Sequence, residues 1–351
     1  MQDLILYLKP LLLSFFLSIV FVKTVISLSK KYDLFDKNGG RRKHDGRISR
    51  LGGLGIIVAF WSAIFLSGSL VFDGLKIGLI VCSVLIFIFG FWDDIKELSW
   101  KKQMVFQVII ALIMIYAGLS VDYIANPFGG REFRLDSFSF MDFSVLGSLF
   151  VILWIVGFMN VVNWLDGMDG LAGGVGAIGA FTIFLLSTSD LVNQPPLAVM
   201  AIALVGALLG FLFFNFHPAK IFMGSSGALF LGFILAVLAI FSGGKIATVF
   251  LVMGFPILDA CWVIYKRLRA GKSPFLGDRG HFHYQLLEQG WSDREAVLFI
   301  YFLSAVFGLS ALAFQGIYKF VAIVVLFITV PVLITRVKYG KIHSRKIDKS
   351  R

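Results

Sequence analysis

The stretch that decides the fold is VLGSLFVILWIVGFMNVVNWLDGMDG, residues 145–170. Positions 145–159 carry no charged side chain. Polar residues then recur at every third position: Asn160, Asn163, Asp166 and Asp169. A helix crosses a bilayer with about 20 mostly apolar residues, so the spacing predicts a membrane span over 145–162. Neighbours three apart share a helix face. Each such step drifts by about 60°, so Asn160 and Asp169 cannot share a face on a straight helix. Gly167 and Gly170 are expected to break the helix and turn the two carboxylates into a common pocket. Ionisable groups at membrane depth are expensive and mark function.

Ten further apolar runs surround this one. The eleven lie at 4–28, 52–70, 75–91, 104–120, 145–162, 171–186, 196–215, 221–241, 246–265, 296–314 and 316–334. Hydrophobic residues make up 58% of the chain and charged ones 15%, against about 45–50% and about 25% in a soluble domain. A soluble enzyme, a disordered chain and a disulfide scaffold are therefore excluded. The 36 glycines follow no three-residue period, which excludes a collagen-like fibre. Cys82 and Cys261 both sit in apolar runs and frame no disulfide pattern. The first run is read as a retained helix, because Lys9 and Pro10 interrupt it and no small-residue cleavage site follows. The expected fold is all-α: one polytopic membrane domain over 1–351 with about eleven spans, ending in a basic tail at 335–351.

The formal charge is +11. With the N-terminus outside, 26 of the 32 Lys and Arg fall on the inner side. The positive-inside rule then places the C-terminus in the cytoplasm, and the excess needs no nucleic-acid partner. The tail is expected to touch anionic headgroups.

Four more polar clusters fall on that inner side. Arg42-Lys43-His44 precedes Arg50-Leu51-Gly52-Gly53, whose glycines let backbone approach a ligand closely. Asp93-Asp94 ends the third run; two adjacent carboxylates repel, and a metal or a shared proton would relieve them. A solvated helix end is the plainer reading of the same pair. Asn215-Phe216-His217-Pro218-Ala219-Lys220 leads to Gly224-Ser225-Ser226-Gly227, whose amides and hydroxyls suit a phosphate or a metal. A small-residue helix contact would use the same residues. The longest inner loop holds Lys266, Arg267, Pro274, Asp278, Arg279, His281 and His283. Without Cys or zinc spacing, it suits phosphate better than metal.

Together the five clusters resemble the polyprenyl-phosphate N-acetylhexosamine-1-phosphate transferase family, from about Asp36 to Gly290. The resemblance rests on Asp93-Asp94, the Asn-x-x-Asn-x-x-Asp-Gly-x-Asp-Gly at 160–170 and the Asn-Phe-x-Pro-Ala-Lys-x-Phe-Met-Gly at 215–224. It rests also on Pro256-Ile257-Leu258-Asp259 and the Asp-Arg-Gly-His-x-His at 278–283. The last loop looks closer to the branch that transfers N-acetylglucosamine phosphate than to the N-acetylmuramoyl-pentapeptide branch.

The resemblance implies a helical fold of ten or eleven spans in a bacterial inner membrane, with its active site on the cytoplasmic face. It implies attack by undecaprenyl phosphate on the β-phosphorus of a UDP-N-acetylhexosamine, with UMP leaving. Asp93 and Asp94 would position or deprotonate the lipid phosphate, and Asp166 and Asp169 would organise the metal–diphosphate region. Lys43, His44 and Lys102 would serve the lipid phosphate, and Asn163 the nucleotide. Asn160 and Asn215 complete the substrate set. Arg279, His281 and His283 would hold the sugar-nucleotide phosphates. Mg²⁺ is the implied cofactor, with Mn²⁺ as an alternative, and Asp94, Asp166, Asp169 and Ser225 are its candidate ligands. The partners are these two substrates and the bilayer; monomer and homodimer both stay open.

Four positions depart from the family pattern. Ser225 stands where Asp, the expected magnesium ligand, is usual, and Tyr284 where a third His is usual. Ala228 and Gln285 replace Ser and Arg. A hydroxyl at 225 or 226, or Asp166 or Asp169, would then complete the metal site. Two other readings stay open. One is a catalytically weak member that binds prenyl phosphate or sugar nucleotide. The other is a secondary transporter, which would place its polar residues near the midplane.

Overall fold

The computed structural model describes residues 2–35, 48–126, 128–140, 143–190, 192–241, 250–273 and 280–348. Its helices are α1 (Gln2–Lys31), α2 (Gly52–Ser67), α3 (Gly74–Lys96), α4 (Trp100–Tyr116), α5 (Val145–Leu165) and α6 (Leu171–Thr188). They continue with α7 (Pro195–Asn215), α8 (Gly224–Phe241), α9 (Gly254–Arg269), α10 (Phe282–Glu288), α11 (Asp293–Ala313) and α12 (Gly316–Asp348). Among the described residues, eight helices are long and apolar enough to cross a membrane. The chain is a multi-pass helical membrane protein. Three of the eleven expected spans overlap shorter helices: α2 with 16 residues, α4 with 17, and α9 with 16, the last beginning at Gly254 in an expected span whose residues 246–249 lie outside the described residues.

Burial sorts these helices into a centre and a rim. A helix apolar on every side must be buried on every side or face lipid. The apolar window of α8 is 89% buried, whereas those of α1 and α12 are 17% buried. Around α8 stand α2, α3, α5, α6 and α7. Small residues let these helices approach closely, as membrane interfaces favour. On α7, Gly206 and Gly210 lie against Ser14 and Ser18 of α1, and the Ser18 hydroxyl donates to the Ala207 carbonyl at 2.7 Å.

Several boundaries differ from the sequence reading, each for a local reason. The third run continues as helix to Lys96, five residues past its expected apolar end, which keeps Asp93 and Asp94 in the last turns of α3 as expected. Gly224, at φ +72°, starts α8 three residues after the apolar run begins. The loop expected between the ninth and tenth runs contains α10. The 335–351 tail is helical in backbone as far as Asp348. Between α4 and α5 the chain forms two antiparallel strand pairs, Tyr123–Ile124 with Phe133–Arg134 and Ser139–Phe140 with Phe143–Ser144. Such two-residue strands leave no readable alternation. Arg134 pairs with Asp136 in this exposed segment, and that hydrogen bond holds the Asp136 carboxyl below the usual range.

The α2–α3–α8 crossing depends on missing side chains. A Cβ at Gly53 would lie 2.0 Å from the Gly227 nitrogen, and one at Gly90 2.3 Å from the Ser226 Cα. Both obstacles are backbone and cannot step aside. Gly53→Ala should therefore destabilise the protein by about 1–3 kcal/mol, the usual range for overpacking, read as a lower melting temperature in detergent. Gly157→Ala, where a Cβ meets nothing within 4 Å, should leave the melt unchanged.

Candidate active site

The last turns of α3 deliver two carboxylates to different tasks. Asp93 is 4% exposed. It accepts the Leu98 amide at 2.8 Å and the Gln103 side-chain amide at 3.0 and 3.1 Å, closing the turn from α3 to α4. Asp94 faces the start of α8 instead. Its Oδ1 accepts the Ser225 amide at 2.6 Å; its Oδ2 accepts the Ser226 amide at 3.1 Å and the Ser226 hydroxyl at 2.8 Å. Helix N-termini leave orphan N–H groups and a partial positive charge, and Asp94 meets both. The 49–53 segment closes the same junction. The Gly52 and Gly53 amides donate to the carbonyls of Phe222 and Met223, and the Phe222 amide donates to the Ser49 carbonyl.

The α5–α6 loop breaks as its glycines predict. Asp166 is the half-buried residue that ends α5, and Gly170, at φ +78°, starts α6. Asp169 is 3% exposed, and its Oδ2 lies 3.0 Å from His217 Nδ1 and accepts the Ala219 amide at 3.1 Å. Asn215 ties the same two segments. Its carbonyl accepts the Gly170 amide at 3.0 Å, and its amide donates to the Ile221 carbonyl at 2.8 Å. From α11, Tyr301 donates to the Gly170 carbonyl at 2.5 Å.

The third wall is the start of α10. Gly167 packs against His283 and Tyr284, where a Cβ would lie 2.6 Å from His283 Nε2. Tyr284 donates to the Gly167 carbonyl at 3.3 Å. The rings of His281 and His283 stack with centroids 5.7 Å apart, and Trp164 lies 6.3 Å from His281. Asp259 of α9 holds His281 Nδ1 at 2.9 Å.

The structure thus joins residues from all five clusters at one end of the bundle. Arg50–Gly53 meets Phe222–Gly227, Gly224–Ser226 meets Asp94, Asn215–Ala219 meets Asp169 and Gly170, and Gly167 meets His283 and Tyr284. Lys43, His44 and Arg279 lie outside the described residues. Lys102 is exposed in the first turn of α4, and Asn163 is half-buried in the last turn of α5. Asn160 turns toward α4, donating to Gln107 at 2.5 Å as well as to the Val156 carbonyl. Among the described residues, no three His, Cys, Asp or Glu side chains gather closely enough to hold a metal alone. Asp94 and Ser225 adjoin, whereas Asp169 bonds the His217 imidazole and the Ala219 amide. Sequence reasoning included His217 in the fourth cluster and Asp259 in the family resemblance but gave neither a role, and it did not single out Tyr301.

Comparison with known proteins agrees with this geometry. The family model for glycosyl transferase family 4 matches residues 76–243, which include the Asp94, Asp166–Gly170 and Asn215–Ser226 parts of the site. A Bacillus subtilis (strain 168) protein named "Probable undecaprenyl-phosphate N-acetylglucosaminyl 1-phosphate transferase" is 30% identical over 330 residues. That match covers 91% of this chain and 89% of the relative. A decaprenyl-phosphate N-acetylglucosaminephosphotransferase of Mycolicibacterium smegmatis is 31% identical, over 72% of this chain and 68% of its own. The undecaprenyl-phosphate alpha-N-acetylglucosaminyl 1-phosphate transferase of Salmonella typhi is 28% identical, over 85% and 81%. The chain belongs to glycosyl transferase family 4, the family whose motifs its five clusters resemble.

Proposed function

We propose that the protein transfers N-acetylglucosamine-1-phosphate from UDP-N-acetylglucosamine to undecaprenyl phosphate. The observation that carries this reading is the contact network at one end of the bundle, in a chain whose relatives bear that activity in their names. A phosphate oxygen of the lipid forms a bond to the β-phosphorus. The bond from that phosphorus to the bridging oxygen breaks, and UMP leaves with the electron pair. The product is a lipid-diphosphate sugar whose C1–O bond was never broken. In this reading the chain spans a bacterial inner membrane eleven times with its N-terminus outside, and this end lies at the cytoplasmic face, where the sugar nucleotide is. The basic excess of the inner segments supports that orientation.

Two phosphate-bearing substrates must approach despite their charge. The basic segments at 41–50 and 266–279 supply cations, and His281 and His283 line the sugar-nucleotide side. Asp94 positions the lipid phosphate beside the start of α8. The donor chemistry suits Mg²⁺: of the four candidate ligands, Asp94, Asp166 and Ser225 are half-buried and Asp169 is buried. Mg²⁺ takes one or two carboxylates together with phosphate oxygens and water, so no three-carboxylate cluster is required. When bound, it neutralises phosphate charge that the protein cations leave unmatched. Asp169, buried and bonded to His217 and Ala219, keeps the loop in place.

The test is UMP release by the full-length protein from a panel of UDP-N-acetylhexosamines, with undecaprenyl phosphate and Mg²⁺. Release is expected with UDP-N-acetylglucosamine. Nucleotide binding without release from any donor would instead favour the weak-binder reading, and solute uptake by proteoliposomes the transporter. Asp94→Asn should lower turnover by about 10²-fold or more; near-wild-type turnover removes Asp94 from the mechanism. Ser225→Asp adds an oxygen ligand beside Asp94 and should lower the Mg²⁺ concentration giving half-maximal rate. An unchanged or higher requirement shows that the serine site needs no carboxylate there.

A further inference from the structure

Asp259 has no part in the chemistry above, yet it is only 5% exposed on α9. Both of its oxygens are committed to one step of the neighbouring loop. Oδ2 lies 2.9 Å from His281 Nδ1, and Oδ1 accepts the Phe282 amide at 2.9 Å. One turn earlier on α9, Phe255 packs edge-on against the fully buried Phe282, with ring centroids 5.2 Å apart. Helix α9 therefore grips the His281–Phe282 step by a ring, an amide and an apolar contact.

We propose that Asp259 is a positioning residue for the transfer reaction, fixing the tautomer and the plane of His281. A carboxylate only accepts hydrogen bonds, so Nδ1 must carry the hydrogen in this pair. Nε2 is then the one ring nitrogen left to face another group. The bond His makes through one nitrogen decides what the other can do. The parallel His283 ring and the Trp164 ring bound the plane in which His281 stands. Neutral, this His281 offers an acceptor toward the site; protonated, it offers a donor to phosphate. The inference rests on the transferase reading for the role of His281, but its geometry does not.

An alternative is that Asp259 merely caps the seven-residue α10. Asp259→Asn separates the two. Its oxygen can still accept the Phe282 amide, while its NH₂ now faces His281 Nδ1 and moves the hydrogen to Nε2. In full-length protein labelled with ¹⁵N-histidine, at a pH where the ring is neutral, wild-type His281 should show a protonated Nδ1 and a bare Nε2. His281→Gln assigns the signals. D259N should exchange the two nitrogens. It should also lower the rate of UMP release at least tenfold, with KM for undecaprenyl phosphate within twofold and the melting temperature kept. In the His281→Gln background D259N should change the rate no further. Wild-type His281 protonated on Nε2 overturns the proposal. So does a D259N loss of equal size in the His281→Gln background, or a full rate with the tautomer exchanged. The wild-type spectrum needs no variant, so it decides the tautomer even where D259N fails to fold. Should the wild type release no UMP from any donor, the transferase reading fails, while the spectrum still tests the positioning.

Discussion

A carboxylate across the N-terminus of the central helix is the interaction on which the rest of this structure depends. Helix α8 begins inside the protein, not in water. In a membrane protein, buried amides at a helix end must find partners within the fold. Asp94 accepts two of these amides and one hydroxyl. It can do so only because Gly90, Gly224, Gly53 and Gly227 let three backbones meet without side chains between them. The charge is favourable at that end of the helix dipole. The contact that makes the centre of the bundle possible therefore also fixes an acidic group at one membrane-facing end.

The other two walls use the same device. Asp169 accepts a backbone amide two residues after the histidine it holds, and Asp259 accepts one immediately after its own. Each buried carboxylate thus bonds one imidazole and one amide of a loop from another part of the chain. Loops that carry function at a membrane interface need such fixing, since apolar contacts give no directional hold at a polar surface. The site is a set of short loops anchored by buried acids, Asp94 and Asp259 on helices and Asp169 in the α5–α6 turn.

Much of this was legible in the sequence. The apolar run and i,i+3 polar residues of 145–170 predicted both the helix and its break, because glycine and polarity change together there. The convergence of the five clusters at one end agrees with the single side on which the basic-residue count groups them. Other features were hidden for physical reasons. Asp169 and His217 are 48 residues apart and Asp259 and His281 are 22 apart, so pairing them needs tertiary packing. Asn160 fits the polar repeat yet bonds Gln107, because one face of α5 rests on α4. The shared assignment of Asp93 and Asp94 hid a division of labour, since adjacent residues on a helix point about 100° apart. Strands of two residues and a seven-residue helix are too short to show a period.

The measurement that tests the central claim most directly is a cryo-electron microscopy map of the full-length protein in nanodiscs with UDP-N-acetylglucosamine. The account predicts nucleotide density beside the junction of the Asp166–Gly170 loop and the His281–Tyr284 segment, at the end where Asp94 meets α8. Density confined to the opposite end, near the 123–144 strands, would contradict it.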